Sequence, residues 1–362
     1  MKHPEIPGRQ AAIDAHRAAG GGLAAVYPIH PPRALLRAFG LLPVEIWGPP
    51  GVDCARADGH VQAYACSIVR GGLAFLLDGK LDDADLILVP HGCDSLQGLG
   101  SVLIDFVKPK APVETFYLPR GAEGGPSRAF VKEELRRLHD SLVKLTGKQP
   151  TEAELLEALE REVDADDLLA ALLAGRRRLE LSNAEFYRLV RAREYLPAED
   201  FSRIVREVLE GASEEESGAP GVVLSGLVPE PRALLELFDE AGVLIVGDDL
   251  CSSGRRLYPA GEGSDALARM ADRLMSAAPD STRGDGVQAR ADHLLGLCAA
   301  GGAKQTLFLI VKFCEPELFY LPQLREALTA GGVASQVLEV DVTTPLADQT
   351  RTRIEAMLEV MS

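Results

Sequence analysis

The sequence predicts an α/β protein: two lobes with short parallel, Rossmann-like sheets and an inserted helical segment. Three observations carry that expectation. Short apolar runs alternate with helix-periodic stretches in both outer parts of the chain, the pattern of strands joined by crossover helices. A charged, helix-periodic stretch without strand signals lies between them. At 362 residues the chain exceeds one compact core and suits two domains with an insertion.

The elements follow in order. Gly20-Gly21-Gly22 opens into LAAVYPI, a first strand ending near Tyr27, and His30-Pro31-Pro32 forms the turn. Residues 33–39 read as a helix stopped by Gly40, and 44–47 as a second strand ended by Gly48-Pro49-Pro50. Residues 66–77 have helical periodicity up to Asp78-Gly79; 86–89 make a buried strand, and 113–117 another. From about 127 to 217 the sequence turns helical and charged, with apolar residues at i, i+3 and i+4. There Thr151 and Glu154 fit a capping box. Strand signals return at 222–224, 243–246, 307–311 and 335–340. The expected division is therefore 1–126, 127–217 and 218–362.

Composition narrows the function. With 46% hydrophobic and 25% charged residues, the chain is neither disordered nor fibrous. A net charge of −16 repels phosphate backbones and argues against a nucleic-acid partner, although a local pocket can still take an anionic small ligand. No apolar run reaches the roughly 18–20 residues that span a bilayer, and MKHPEIPGRQ lacks a signal peptide's apolar core. The expectation is a cytoplasmic protein with no membrane partner. Its six cysteines are then core residues, reactive thiols or metal ligands rather than disulfides.

Three of them sit just beyond a strand: Cys93 in LILVPHGC, Cys251 in VLIVGDDLC and Cys314 in LFLIVKFC. Loops after the carboxyl ends of parallel strands hold ligands. Cys66 begins a helix, where the dipole and free N–H groups favour a thiolate, the form that binds metal. For Cys66, Cys93 and Cys314, placement leaves a structural and a ligating role equally open. Cys54, in a polar loop, and Cys298, in a helical stretch, read as structural. The lack of a CxxC pair argues against a zinc ribbon or finger, and the lack of ferredoxin-type spacing leaves a cluster assembled from distant loops. No phosphate-binding glycine motif supports a nucleotide site. Asp248-Asp249 suits a metal, a ribose or a turn cap, and His91 a backbone hydrogen bond or a ligand role. Arg70 and Arg255-Arg256 suit an anionic substrate or exposed salt bridges.

The segments YPIHPPRALLRAFGLLPVEIWG, QAYACSIVRGGLAFLLDG, LILVPHGCDSLQGLG, VLIVGDDLCSSGRR, VKFCEPELFYLPQLREAL and QVLEVDVTTPLADQTRTRIEAMLE resemble, in order, the 2-hydroxyacyl-CoA dehydratase family, which includes benzoyl-CoA reductase cluster subunits. The resemblance implies a [4Fe–4S] cluster held by three cysteines in the crevice between two α/β lobes. Position by position those ligands are Cys66, Cys93 and Cys314, with Cys251 in reserve. It further implies an acyl-CoA substrate and an ATP-dependent iron–sulfur activator that delivers one electron. A ketyl radical formed at the thioester then expels the neighbouring hydroxyl, whereas reductase relatives reduce an aromatic ring. The length suits the smaller, D-component type of subunit, paired with a related larger chain; a homodimer with a double-cubane cluster is the other arrangement. His30 and Glu45 would face the same crevice as substrate- or proton-handling residues, or serve the core. Catalysis by this chain, or electron transfer to a substrate-binding partner, both fit.

Overall fold

Alternation of strand and helix places the N-terminal strands in one parallel sheet. The computed structural model describes residues 5–121 and 125–361; residues 1–4, part of the stretch read for a leader, lie outside them. Strands β1 (Gly22–Val26), β2 (Leu41–Glu45), β3 (Leu86–His91) and β4 (Val113–Tyr117) pair in the order β2-β1-β3-β4. Helices α1 (Arg9–Ala18), α2 (Arg33–Ala38), α3 (Ser67–Leu77) and α4 (Asp94–Val102) flank them. Strand β3 reads as an unbroken apolar run because both its faces are covered. Strand β2 starts at Leu41, before the sequence expectation, and so includes Pro43. It tolerates proline because it is an edge strand, paired only with β1.

The central segment is helical throughout: α5 (Gly125–Thr146), α6 (Glu152–Ala174), α7 (Asn183–Ala192) and α8 (Ala198–Glu210). Thr151 and Glu154 make the expected capping box on α6, and Ser182 and Glu185 make another on α7. Then follow β5 (Gly221–Gly226), α9 (Arg232–Glu240), β6 (Leu244–Leu250), α10 (Ala266–Met275), α11 (Val287–Gly301), β7 (Gln305–Val311), α12 (Glu315–Ala330), β8 (Ala334–Val340) and α13 (Asp348–Met361). The second sheet is also parallel and repeats the first sheet's order, as β6-β5-β7-β8. Among the described residues no helix is long and apolar enough to cross a membrane.

One apolar core is shared by both sheets, joining Tyr27, Trp47, Leu73, Phe201, Leu224 and Leu309. A second covers the other side of the first sheet with α5, α6 and α10. The third covers the second sheet with α11 and α12.

Buried ion pairs cross between the lobes. Arg256 donates to both carboxylate oxygens of Glu45 at 2.6 and 2.9 Å. Arg33 adds a contact to Glu45 at 3.1 Å, and the Trp47 indole donates to it at 3.0 Å. Neither Arg255 nor Arg256 is exposed, so the surface salt bridges suggested for them do not exist; burial forces each into ion pairs with buried carboxylates. Deeper in α6, Glu162 accepts from Arg193 and Arg33. Burial pushes the Glu162 carboxyl up, but Arg193 and Arg33 more than reverse this and hold it at about 2.

Because this pKa is depressed, Glu162 contributes fully above the unfolded value of about 4.3, and the contribution disappears as pH falls through about 2. Glu162→Gln is expected to cost about 3 kcal/mol near neutrality, leaving Arg193 underpaired. Thermal melts between neutral pH and pH 2 should show the two proteins converging at the acid end.

Candidate metal centre

Each of the three cysteines singled out in the sequence occupies the N-cap of a helix: Cys66 on α3, Cys93 on α4 and Cys314 on α12. Strands β3 and β7 hold corresponding positions in their sheets, and each delivers a cysteine to the helix that follows. Backbone N–H groups favour the thiolate at all three, from Ile68 and Val69, from Ser95 and Leu96, and from Glu317. The helix dipoles act in the same sense. Phe313, just before Cys314, has φ of 65°, a left-handed conformation unusual for a bulky residue. The Ser67 hydroxyl accepts the Val342 N–H at 3.1 Å, tying the start of α3 to the chain beyond β8.

All three sulfurs line one cavity of about 60 Å3, with Arg120, Phe313 and Phe319 around it. Cys66 and Cys314 are buried and Cys93 is half-buried. Burial, then the nearby Cys93 sulfur, pushes the Cys66 thiol up to about 12. Burial, Glu317 and the other two cysteines push Cys314 far above its usual range. Three mutually repelling thiolates in so little water need a cationic centre to stabilise them. Among the described residues no three His, Cys, Asp or Glu side chains could hold a single metal ion. Three cysteines at helix N-caps lining one cavity suit an all-cysteine donor set. Arg120 also lines the cavity, but Asp94 at 3.6 Å and Glu315, both on the same lining, offset its charge.

The other sequence candidates lie elsewhere. Cys251 is buried close behind Cys314, but its sulfur accepts from Arg255 at 3.2 Å and lies 3.6 Å from Asp280; it does not line the cavity. Cys54 lies 3.7 Å from the Thr343 hydroxyl, and Cys298 lies 3.3 Å from that of Thr306. Glu45 is occupied by its arginines. His30 is buried, with Nδ1 2.9 Å from the Tyr258 hydroxyl and Nε2 3.4 Å from Asp280 but poorly aligned with it. Neither Glu45 nor His30 lines the cysteine cavity. Asp248 caps the turn after β6, accepting from Ser253, Gly254 and Tyr187, while Asp249 pairs with Arg255 and Arg290. His91 stacks edge-on against Tyr117, and Arg70 pairs with Asp58.

Sequence reasoning passed over Arg120, Phe313, Phe319 and Glu317. The last sits one turn into α12 and is held by Arg255 at 2.7 and 3.0 Å and by Arg290 at 3.4 Å. Its only signal was the acidic pair in CEPE, which reads equally well as a helix-start preference.

Fold and site together define a two-lobed parallel α/β protein in which cysteines from both lobes meet at one cavity. The chain belongs to the 2-hydroxyglutaryl-CoA dehydratase, D-component family, whose profile matches residues 28–361. It is 26% identical to lactoyl-CoA dehydratase subunit beta of Anaerotignum propionicum, over 97% of this chain and 95% of that protein. It is 25% identical to (R)-2-hydroxyglutaryl-CoA dehydratase subunit beta of Acidaminococcus fermentans, over 95% and 93% of the two chains. One of the benzoyl-CoA reductase subunits of Thauera aromatica is 26% identical, over 83% and 81%.

Exposure sets an order of thiol reactivity. In metal-free protein, iodoacetamide followed by mass spectrometry should label the half-buried Cys54 and Cys93 first, with buried Cys66, Cys251, Cys298 and Cys314 protected until unfolding.

Proposed function

We propose that this chain is the iron–sulfur subunit of a 2-hydroxyacyl-CoA dehydratase, working with a related larger subunit and an ATP-dependent iron–sulfur activator. The observation that carries this reading is the convergence of Cys66, Cys93 and Cys314, from two lobes, on one cavity. These residues would hold a [4Fe–4S] cluster, which when bound supplies one-electron transfer at low potential. The chain's own groups fit that role. Three helix N-termini offset part of the negative charge of thiolates. Burial of Cys66 and Cys314 limits water, and Phe313 and Phe319 line the mouth. One electron placed on the thioester of a 2-hydroxyacyl-CoA would let the neighbouring hydroxide leave, and loss of a β-proton with return of the electron completes a redox-neutral loss of water. A second reading, a subunit of an aryl-CoA reductase, rests on the 26% identity to the benzoyl-CoA reductase protein, which equals that to the lactoyl-CoA enzyme.

Anaerobically purified protein should be brown, with about four irons and matching sulfide per chain. Single replacement of Cys66, Cys93 or Cys314 by Ala should remove most of that iron, whereas Cys54→Ala and Cys298→Ala should retain it. Iron loss in Cys251→Ala but not Cys314→Ala would move the third ligand to Cys251, and a colourless, iron-free preparation would sink the proposal. With partner subunit, activator and ATP supplied, dehydration of lactoyl-CoA against reduction of benzoyl-CoA separates the two readings.

A further inference from the structure

A second cavity, of about 480 Å3, shares no residue with the cysteine cavity. It lies where β1, β2, α1 and α3 face α7 and the start of α9. Its walls are apolar, formed by Ala25, Val44, Ile46, Trp47, Phe75 and Leu235. The volume falls within the roughly 300–1,000 Å3 of small-molecule sites, which combine an apolar lining with a few polar groups.

Charge around it is uneven. Arg9 and Arg191 also line the cavity but are occupied by Glu194 and Glu230. Lys80 and Arg188 are exposed, and among the described residues neither has an ion-pair partner, Arg188 donating only to the Ile6 carbonyl at 3.3 Å. Arg232 meets only the exposed Glu236 on its own helix. Against these stands Asp83, the lining carboxylate that no cation engages among the described residues. On a chain of net charge −16, an excess of free cations at an apolar cavity is selective for anions.

We propose that this cavity binds an amphipathic organic anion. Its acyl or aryl body lies against Trp47 and Phe75, and its anionic group, carboxylate or phosphate, stays at the rim with Lys80, Arg188 and Arg232. A neutral ligand leaves those cations unused, and a cationic ligand is repelled. The site stands independently of the iron–sulfur reading, because neither its walls nor its rim includes a cysteine.

Trp47 is the only tryptophan, so intrinsic fluorescence of the full-length protein reports occupancy directly. The test titrates decanoate, decanol, decyltrimethylammonium and decanoyl-CoA below their aggregation limits, with and without iron. Expected are saturable binding of decanoate, about tenfold tighter than decanol or the cation, and identical behaviour of iron-free protein. Arg188→Glu, on the exposed rim, should weaken decanoate about tenfold while decanol is unchanged. Ala184→Phe should fill the cavity and abolish binding, with circular dichroism confirming the fold. Tighter binding of decanoyl-CoA than of decanoate would support the site and assign phosphate to the rim. Equal affinity for decanoate and decanol, no saturable change, or full binding by a folded Ala184→Phe protein would overturn the proposal.

Discussion

One short turn, Gly254–Arg256, sets where the two lobes stand relative to each other. Its two arginines face different ways. Arg256 reaches into the N-terminal lobe and pairs with both oxygens of Glu45 at the end of β2. Arg255 stays in the C-terminal lobe and grips Glu317 on the helix that starts at Cys314. All four groups are buried, so removing any one leaves its partner underpaired away from water, only partly relieved by Arg33 on Glu45, Arg290 on Glu317 and Asp249 on Arg255. Burial pushes the Glu45 and Glu317 carboxyls up, yet the arginines hold both below their usual values. The same turn therefore fixes Cys314 against Cys66 and Cys93 from the opposite lobe.

The cysteine cavity follows from helix starts rather than from a contiguous motif. Two sheets of the same strand order each send a helix from the end of the third strand in the row, and α3 contributes a further helix start. Three positive helix ends then point at one small volume, an arrangement suited to anionic sulfur ligands. His30 and Glu45 serve the lobe contact, as hydrogen-bond partner of Tyr258 and counter-ion of two arginines. Their burial is itself the consequence of joining two lobes through charged groups.

Much of this was legible in the sequence. Unbroken runs such as LILV and LFLIV mark strands covered on both faces, and the boundary at Cys66 is given by the apolar period that starts there. The edge strand β2 was misplaced because Pro43 reads as a breaker until its neighbour on one side is known to be absent. The arginines of the GRR turn read as surface residues because their partners, Glu45 and Glu317, lie far away in sequence. Arg120 and Phe319 had no local pattern at all; only the closure of the two lobes brings them to the cysteines.

The most direct test of the account is Mössbauer spectroscopy of protein reconstituted anaerobically with 57Fe, alone and as the Cys314→Ala and Cys251→Ala variants. The account predicts a cubane spectrum in which three irons share a thiolate environment and one differs, unchanged in Cys251→Ala and lost in Cys314→Ala. Four equivalent irons, or an unchanged spectrum in Cys314→Ala, would contradict it.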